Sequence, residues 1–309
     1  MPDPEIKTPL ARLSGLWARL GDGLGAWQPL TGPGLARFAD ASFPRLILFQ
    51  ILLAAWFGLL LAWTYGRLVP PVVQAALPAL PESEAGIHAG ILHWPGPGPK
   101  LLASSPQLAL VCDAGGSGEL GLNGDLQVEL RRDEILLRGL LGSLAVPYPP
   151  DLDLPLDQAS APAIWGAWRL PLRAALATAA MLLLPLTWWV LAALYCLPAW
   201  CWGWLWARDL PPGGALRIAL AALLPASLIP GLALVAYATL WIRAPGLVLL
   251  WVLHLPAGWL WLGWGILSRP RQNRPPAGSA RPPPNPFSPE ERRARATSGK
   301  RGAKNPFGT

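Results

Sequence analysis

Long uncharged apolar runs alternate with polar stretches along the chain, and four of them are long enough to cross a bilayer. The first, 46–65, reads LILFQILLAAWFGLLLAWTY, with the amide Gln50 and no charge. At about 1.5 Å per residue, a helix over this run crosses a hydrocarbon core of about 30 Å. It begins too deep in the chain for a typical secretory signal, so it reads as an uncleaved anchor. The second lies within 172–206, more chain than one crossing needs, with Pro185 and Pro198 inside it. The crossing is expected over 174–197, with Trp200, Trp202, Trp204 and Trp206 then lying along the interface. The third run, 216–241, contains Pro225 and Pro230, and the fourth, 246–267, contains His254 and Pro256.

Between the first two runs, 66–171 is the long polar interval. It opens with Pro70, Pro71, Pro78 and Pro81, then carries short apolar or alternating runs at 87–94, 107–112, 125–130, 134–138 and 143–147. Gly and Pro separate these runs, and Asp125–Leu130 with Glu134–Arg138 reads as a β-hairpin. Pro147, Pro149 and Pro150 are expected to end this small β-rich domain. At the start of the chain, within 1–45, Leu10, Leu13, Leu16, Trp17, Leu20, Leu24 and Trp27 recur at helical spacing beside Lys7, Arg12 and Arg19. That pattern predicts a basic amphipathic helix on the membrane surface, the alternative being a helix packed on other protein. The tail, 268–309, is rich in Pro, Arg and Gly and poor in large apolar residues, a composition that cannot offset ordering entropy.

The fold class that follows is a mainly α-helical membrane protein of four transmembrane helices, with a β-rich extracytoplasmic domain inserted between helices 1 and 2. Composition agrees: 52% of the residues are hydrophobic and 14% charged, against about 25% charged in soluble domains. The eighteen tryptophans suit interfacial anchoring. The net charge of +7 sits near the spans, which favours topology setting and anionic lipid over nucleic acid. The tail holds ten Lys or Arg and 1–45 holds five, while Arg208 and Arg217 flank the turn between spans two and three. The positive-inside rule then puts both termini and that turn in the cytoplasm, which only an even number of spans allows.

Candidate chemistry is sparse. His254 lies near the middle of the fourth span, where an ionisable residue is a functional candidate; the spans hold no Asp, Glu or Lys to partner it. Cys196 and Cys201 are five apart, which is not one helix face, and Cys112 has no second cysteine in its domain. Asp113, Asp125, Asp133 and Glu134 fall at strand ends and in a turn, where acids are usually solvated. His88 and His93 are expected on opposite sides of an alternating strand, which disfavours a metal pair. Gly115-Gly116-Ser117-Gly118 lacks the lysine and helix of a phosphate loop. The repeated Asn285-Pro286-Phe287 and Asn305-Pro306-Phe307 read as a chance repeat in the tail. No catalytic, metal or cofactor site is expected.

Several short elements carry a family likeness: Leu80-Pro81 followed by Ile87-His88-Ala89-Gly90-Ile91-Leu92, the apolar run Leu108 to Cys112 ending at Asp113, and the hairpin from Asp125 to Arg138. In these the chain resembles a bacterial family of polytopic membrane proteins, a domain of unknown function, that includes a maltodextrin-utilisation-associated membrane protein. Where that family often has Asp-Thr, this chain has Asp113-Ala114. The resemblance implies a cytoplasmic N-terminus, one span, an extracytoplasmic β domain, a C-terminal helix bundle and a bacterial envelope setting. The expected function is that of a non-enzymatic envelope protein presenting a small exterior interaction domain. Its expected partners are the lipid bilayer and an unidentified protein, with no specific nucleic acid. A transporter or transporter accessory subunit is the alternative.

Overall fold

A computed structural model describes residues 28–82, 84–96 and 98–272. The surface helix expected over 10–27 and the tail with its Asn-Pro-Phe repeats lie outside these residues. Among the described residues, four helices are long and apolar enough to cross a membrane. They are α2 (Phe43–Ala76), α3 (Ala161–Leu205), α4 (Pro212–Ala238) and α5 (Ala244–Leu267), preceded by the short α1 (Gly32–Phe38). The most apolar stretch of α4 is 78% buried, against 28% or less in the other three, so α4 forms the centre of the bundle. Its small residues let neighbours come close. At Gly231 a Cβ would sit 2.4 Å from the ring of Trp56 on α2, so a larger residue there would force that ring to move. Gln50 is buried within α2, and its side-chain oxygen accepts a hydrogen bond from the Trp189 indole of α3 at 3.1 Å.

The helices extend past the predicted crossings. The 34 residues of α2 and 45 of α3 give rods of about 51 and 68 Å against a core of about 30 Å. Pro70 and Pro71 lie inside α2 rather than in a loop, and α3 continues through Pro171, Pro185 and Pro198. The Trp-rich segment stays helical to Leu205 instead of turning along the interface. Trp202 packs on Trp206 and on Trp259 of α5, with ring centroids 5.4 and 5.5 Å apart, which holds that end of α3 to the bundle.

Arginines close one end of the bundle. Arg269 donates to the carbonyls of Ala36 and Asp209 and pairs with Asp40. Arg208 donates to the Arg269 carbonyl, and Arg217 to the Ala41 carbonyl. These bonds join α1, the α3–α4 turn and the end of α5, so four crossings return the chain to the end where α2 began. At the other end, Gln107 donates to the Tyr237 carbonyl at 3.2 Å, and Arg243 donates to the Pro106 carbonyl at 3.2 Å. Asp125 pairs with Arg243 at 3.6 Å and accepts from the Ala244 N–H. The β domain is thereby strapped to the α4–α5 turn.

That domain holds two sheets. One has the order β2-β1-β8, with β1 (Gly86–His88), β2 (Ile91–His93) and β8 (Leu154–Pro155). The other runs β3-β4-β5-β6-β7, with β3 (Lys100–Ser104), β4 (Leu108–Cys112), β5 (Leu126–Leu130), β6 (Glu134–Gly139) and β7 (Gly142–Pro147). The β5–β6 hairpin forms where the alternation puts it. Three features differ from expectation. The run 87–94 is not one strand: Ala89 and Gly90 both have positive φ (48° and 74°), and the chain folds back as the β1–β2 hairpin. The prolines after β7 do not end the domain, because Leu154 and Pro155 pair with β1. Finally, β4 and β5 run parallel, and 113–125 is the crossover such a pair requires.

The five-stranded sheet has two distinct faces. Leu110, Val128, Cys112 and Leu130, adjacent in register, look towards the helix ends. On the other face Glu129 is 1% exposed, clamped by Arg131 at 2.8 Å and Arg138 at 3.4 Å. The crossover covers that polar face. Gln127 accepts from the Asn123 N–H at 3.0 Å, and Gly124 lies so close to Leu108 and Ala109 that a Cβ would meet their backbone at 3.1 Å.

Candidate functional site

The parts of α2 and α3 beyond the length one crossing needs do not pack tightly on the sheet. Between them lies an apolar pocket of about 480 Å³, within the size range of small-molecule sites. Val73 and Ala76 of α2, with Leu77 and Leu80 after it, form one wall. Leu102, Leu110, Val128 and Leu130 of the sheet form the second. Ala161, Ile164, Trp165, Trp168 and Leu172 of α3 form the third, and Leu152, Leu154 and Leu156 close the far side. No titratable side chain lines it among the described residues. The indole N–H of Trp165 is buried without a hydrogen-bond partner among the described residues, a donor left over in an apolar wall. The frame around the pocket is fixed by polar bonds. The Gln158 side-chain amide donates to the carbonyls of Pro78 and Leu80, Lys100 donates to the Ala79 carbonyl, and Asp157 accepts from the N–H groups of Ala159 and Ser160 at the head of α3.

The groups that could do chemistry in this domain are occupied elsewhere. Cys112 is fully buried and burial pushes its thiol up to about 12, far from a reactive thiolate. Asp113 is not solvated, as its strand-end position suggested, but 2% exposed. It accepts from the N–H groups of Ser117 (3.1 Å) and Gly118 (2.8 Å) and from the Ser117 hydroxyl. Burial opposes its ionisation, but the Gly118 and Ser117 bonds and then Arg131 outweigh that, holding the carboxyl below its usual range. The glycine loop thus does cradle an anion, and the anion is the chain's own. Asp125 is likewise engaged, with Arg243 and Ala244, whereas Asp133 is exposed and Glu134 is half-buried beside Arg131 at 3.7 Å.

The β1–β2 turn puts His88 and His93 on one face, ring centroids 5.8 Å apart, the reverse of the opposite-face expectation. His88 Nδ1 lies 2.6 Å from Asp153, but among the described residues no group of three His, Cys, Asp or Glu is placed to hold a metal. His254 bonds to the Trp251 carbonyl one turn back on its own helix. It lines a cavity of about 560 Å³ between α3, α4 and α5, together with Ser227, Thr187 and Trp188. Cys196 and Cys201 are free thiols at different depths, Cys196 half-buried and Cys201 exposed. Arg169 and Arg173 carry no motif; the signal that could have found them is their i, i+4 spacing at the β-domain end of a span. Compared with family models, curated proteins and solved structures, the chain matches none.

Proposed function

We propose that this multi-pass membrane protein is a non-enzymatic binding protein whose β domain takes an acyl chain into the pocket against α2 and α3. The carrying observation is that pocket: about 480 Å³, apolar on every wall, with the unpartnered Trp165 N–H positioned for a carbonyl or ester oxygen. Its place at the emerging helix ends gives a chain from the bilayer a short path in. The proposal includes a bacterial cytoplasmic membrane, with the arginine-stitched end inside and the β domain outside. It rests on the charge bias of 1–45, the α3–α4 turn and the tail, and on the family resemblance. Strand β7, exposed along its length at the sheet edge, suits a protein partner that adds a strand. A non-enzymatic role fits a pocket wall without nucleophile, acid or base.

The test is photolabelling of the full chain in nanodiscs with a diazirine-bearing palmitoyl probe. Label should map to peptides containing 73–80, 102–110 and 161–172, and Ala161→Trp should cut it several-fold. Label confined to the lipid-facing parts of the spans would refute the reading. A second reading, a transporter or its accessory subunit, is favoured by the 560 Å³ cavity beside His254. His254→Ala with unchanged uptake across a broad solute panel would remove it.

A further inference from the structure

A second pocket, of about 360 Å³, lies between α2 and α3 on the membrane side of the first. Tyr65, Gly66 and Pro70 line it from α2, and Gly166, Arg169 and Arg173 from α3. Among the described residues neither arginine has an ion-pair partner, and Glu129, Asp125 and Asp113 of the β domain are held by other groups. The Tyr65 hydroxyl is buried and has no hydrogen-bond partner either. The two glycines make the room. The Arg173 guanidinium carbon would be 3.5 Å from a Cβ on Gly66, so the side chain lies against the α2 backbone, and at Gly166 nothing stands within 4 Å of where a Cβ would be. Arg67 adds a third exposed cation beside Gly66.

From this geometry we infer that the cleft is an anionic phospholipid site, with the headgroup phosphate held between Arg169 and Arg173. Two planar guanidinium groups offer forked donors to phosphate oxygens. The Tyr65 hydroxyl supplies one more donor from the facing helix. The level is right for a headgroup: apolar α3 sequence, from Ala174 towards Met181, begins directly after Arg173. The acyl chains then run along α2 and α3 in the leaflet next to the β domain. By the charge bias that orients the chain, arginines at this end are disfavoured unless something local uses them. The site is separate from the acyl pocket, and each can fail without the other.

The experiment is native mass spectrometry of the full chain in neutral detergent, titrated with phosphatidylglycerol, phosphatidylcholine or inorganic phosphate. The expected result is retention of phosphatidylglycerol over phosphatidylcholine. Arg169→Gln and Arg173→Gln should each weaken it about tenfold, the scale of one charge-assisted hydrogen bond. Tyr65→Phe should weaken it less. Gly166→Leu fills the open side of the cleft, keeps both charges and should cost as much as an arginine. If Gly166→Leu retains the full preference while the arginine variants lose it, the arginines act only as surface charge and the cleft is not a site. Displacement of phosphatidylglycerol by millimolar inorganic phosphate would overturn the lipid assignment in favour of a free phosphoryl ligand. Equal retention of both lipids by the wild-type chain would overturn the inference altogether.

Discussion

The Asp113 cradle sets how firmly the crossover 113–125 is held, and its contribution can be worked from the geometry. The carboxylate accepts two backbone N–H bonds, at 3.1 and 2.8 Å, and a hydroxyl. Each bond to a charged group is worth about 1.5–3 kcal/mol when its loss leaves a buried partner. Asp113→Asn keeps one acceptor oxygen but turns an NH2 towards a donor, so the expected loss is about 2–3 kcal/mol. If the crossover opens as a unit, amide exchange within it should quicken about 30- to 150-fold. The reporter is Asn123, whose N–H bonds to Gln127 at the far end of the loop, 3.0 Å away. Hydrogen exchange resolved by mass spectrometry on the full chain reads it directly. Acceleration at Ser117 and Gly118 alone would mean the loop is not one cooperative unit. No acceleration anywhere would refute the cradle as its anchor. The pH dependence follows in sign. The folded pKa of Asp113 is lowered, so its contribution is fully present above the unfolded value of about 3.9 and is lost as pH falls through the folded value. Loop protection should hold from neutral pH to about pH 4 and fall below that, and Asp113→Asn should abolish the acid limb.

Two other expectations are independent of the ligand. Glu129→Ala leaves Arg131 and Arg138 facing a hole in a buried polar face and should destabilise the β domain by about 3–5 kcal/mol. A lower thermal midpoint by tryptophan fluorescence would show it, and an unchanged midpoint would mean the clamp contributes little. In the bundle, Gln50→Leu and Trp189→Phe remove the two halves of one intramembrane hydrogen bond. A double-mutant cycle should return a coupling of about 0.6–1.7 kcal/mol, and zero coupling would dismiss the bond.

The spans were legible because uncharged runs such as 46–65 have few alternatives. Their lengths were not, since 66–79 reads as a Pro-rich loop until the sheet is there to cover Val73, Ala76 and Leu77. Pro70 and Pro71 sit inside α2, which continues past them to Ala76. The β5–β6 hairpin was legible from alternation. The parallel β4–β5 pair was not: strand, loop, strand looks the same in one dimension whichever way the chain returns. The span of 113–125 was the available clue, being long for a hairpin and adequate for a crossover. The shared face of His88 and His93 is hidden because alternation alone runs 87–94 as one strand, whereas Ala89-Gly90 reverses the chain. Asp113 appeared to be a solvated strand-end acid because the glycine loop that buries it is local in sequence but closes only in three dimensions. The apolar pocket between α2, α3 and the sheet is invisible in the sequence for a different reason. Each lining residue, taken alone, looks like core, and the gap exists only because three separate segments fail to meet.

Because α3 is continuous from Ala161 to Leu205, one rod both forms a wall of the pocket and spans the bilayer. Bilayer thickness is matched by helix tilt, and a tilt change of roughly 10° about the midpoint moves either end of a 68 Å rod by about 6 Å. Trp165 and Trp168 travel with that end, while Gln158, bonded to the carbonyls of Pro78 and Leu80, limits their separation from α2. The expected consequence is that membrane thickness acts as a mechanical input to the pocket's aperture. Palmitoyl labelling compared in nanodiscs of short- and long-chain lipid measures that input, and equal labelling in both would show that the Gln158 tie holds the aperture fixed.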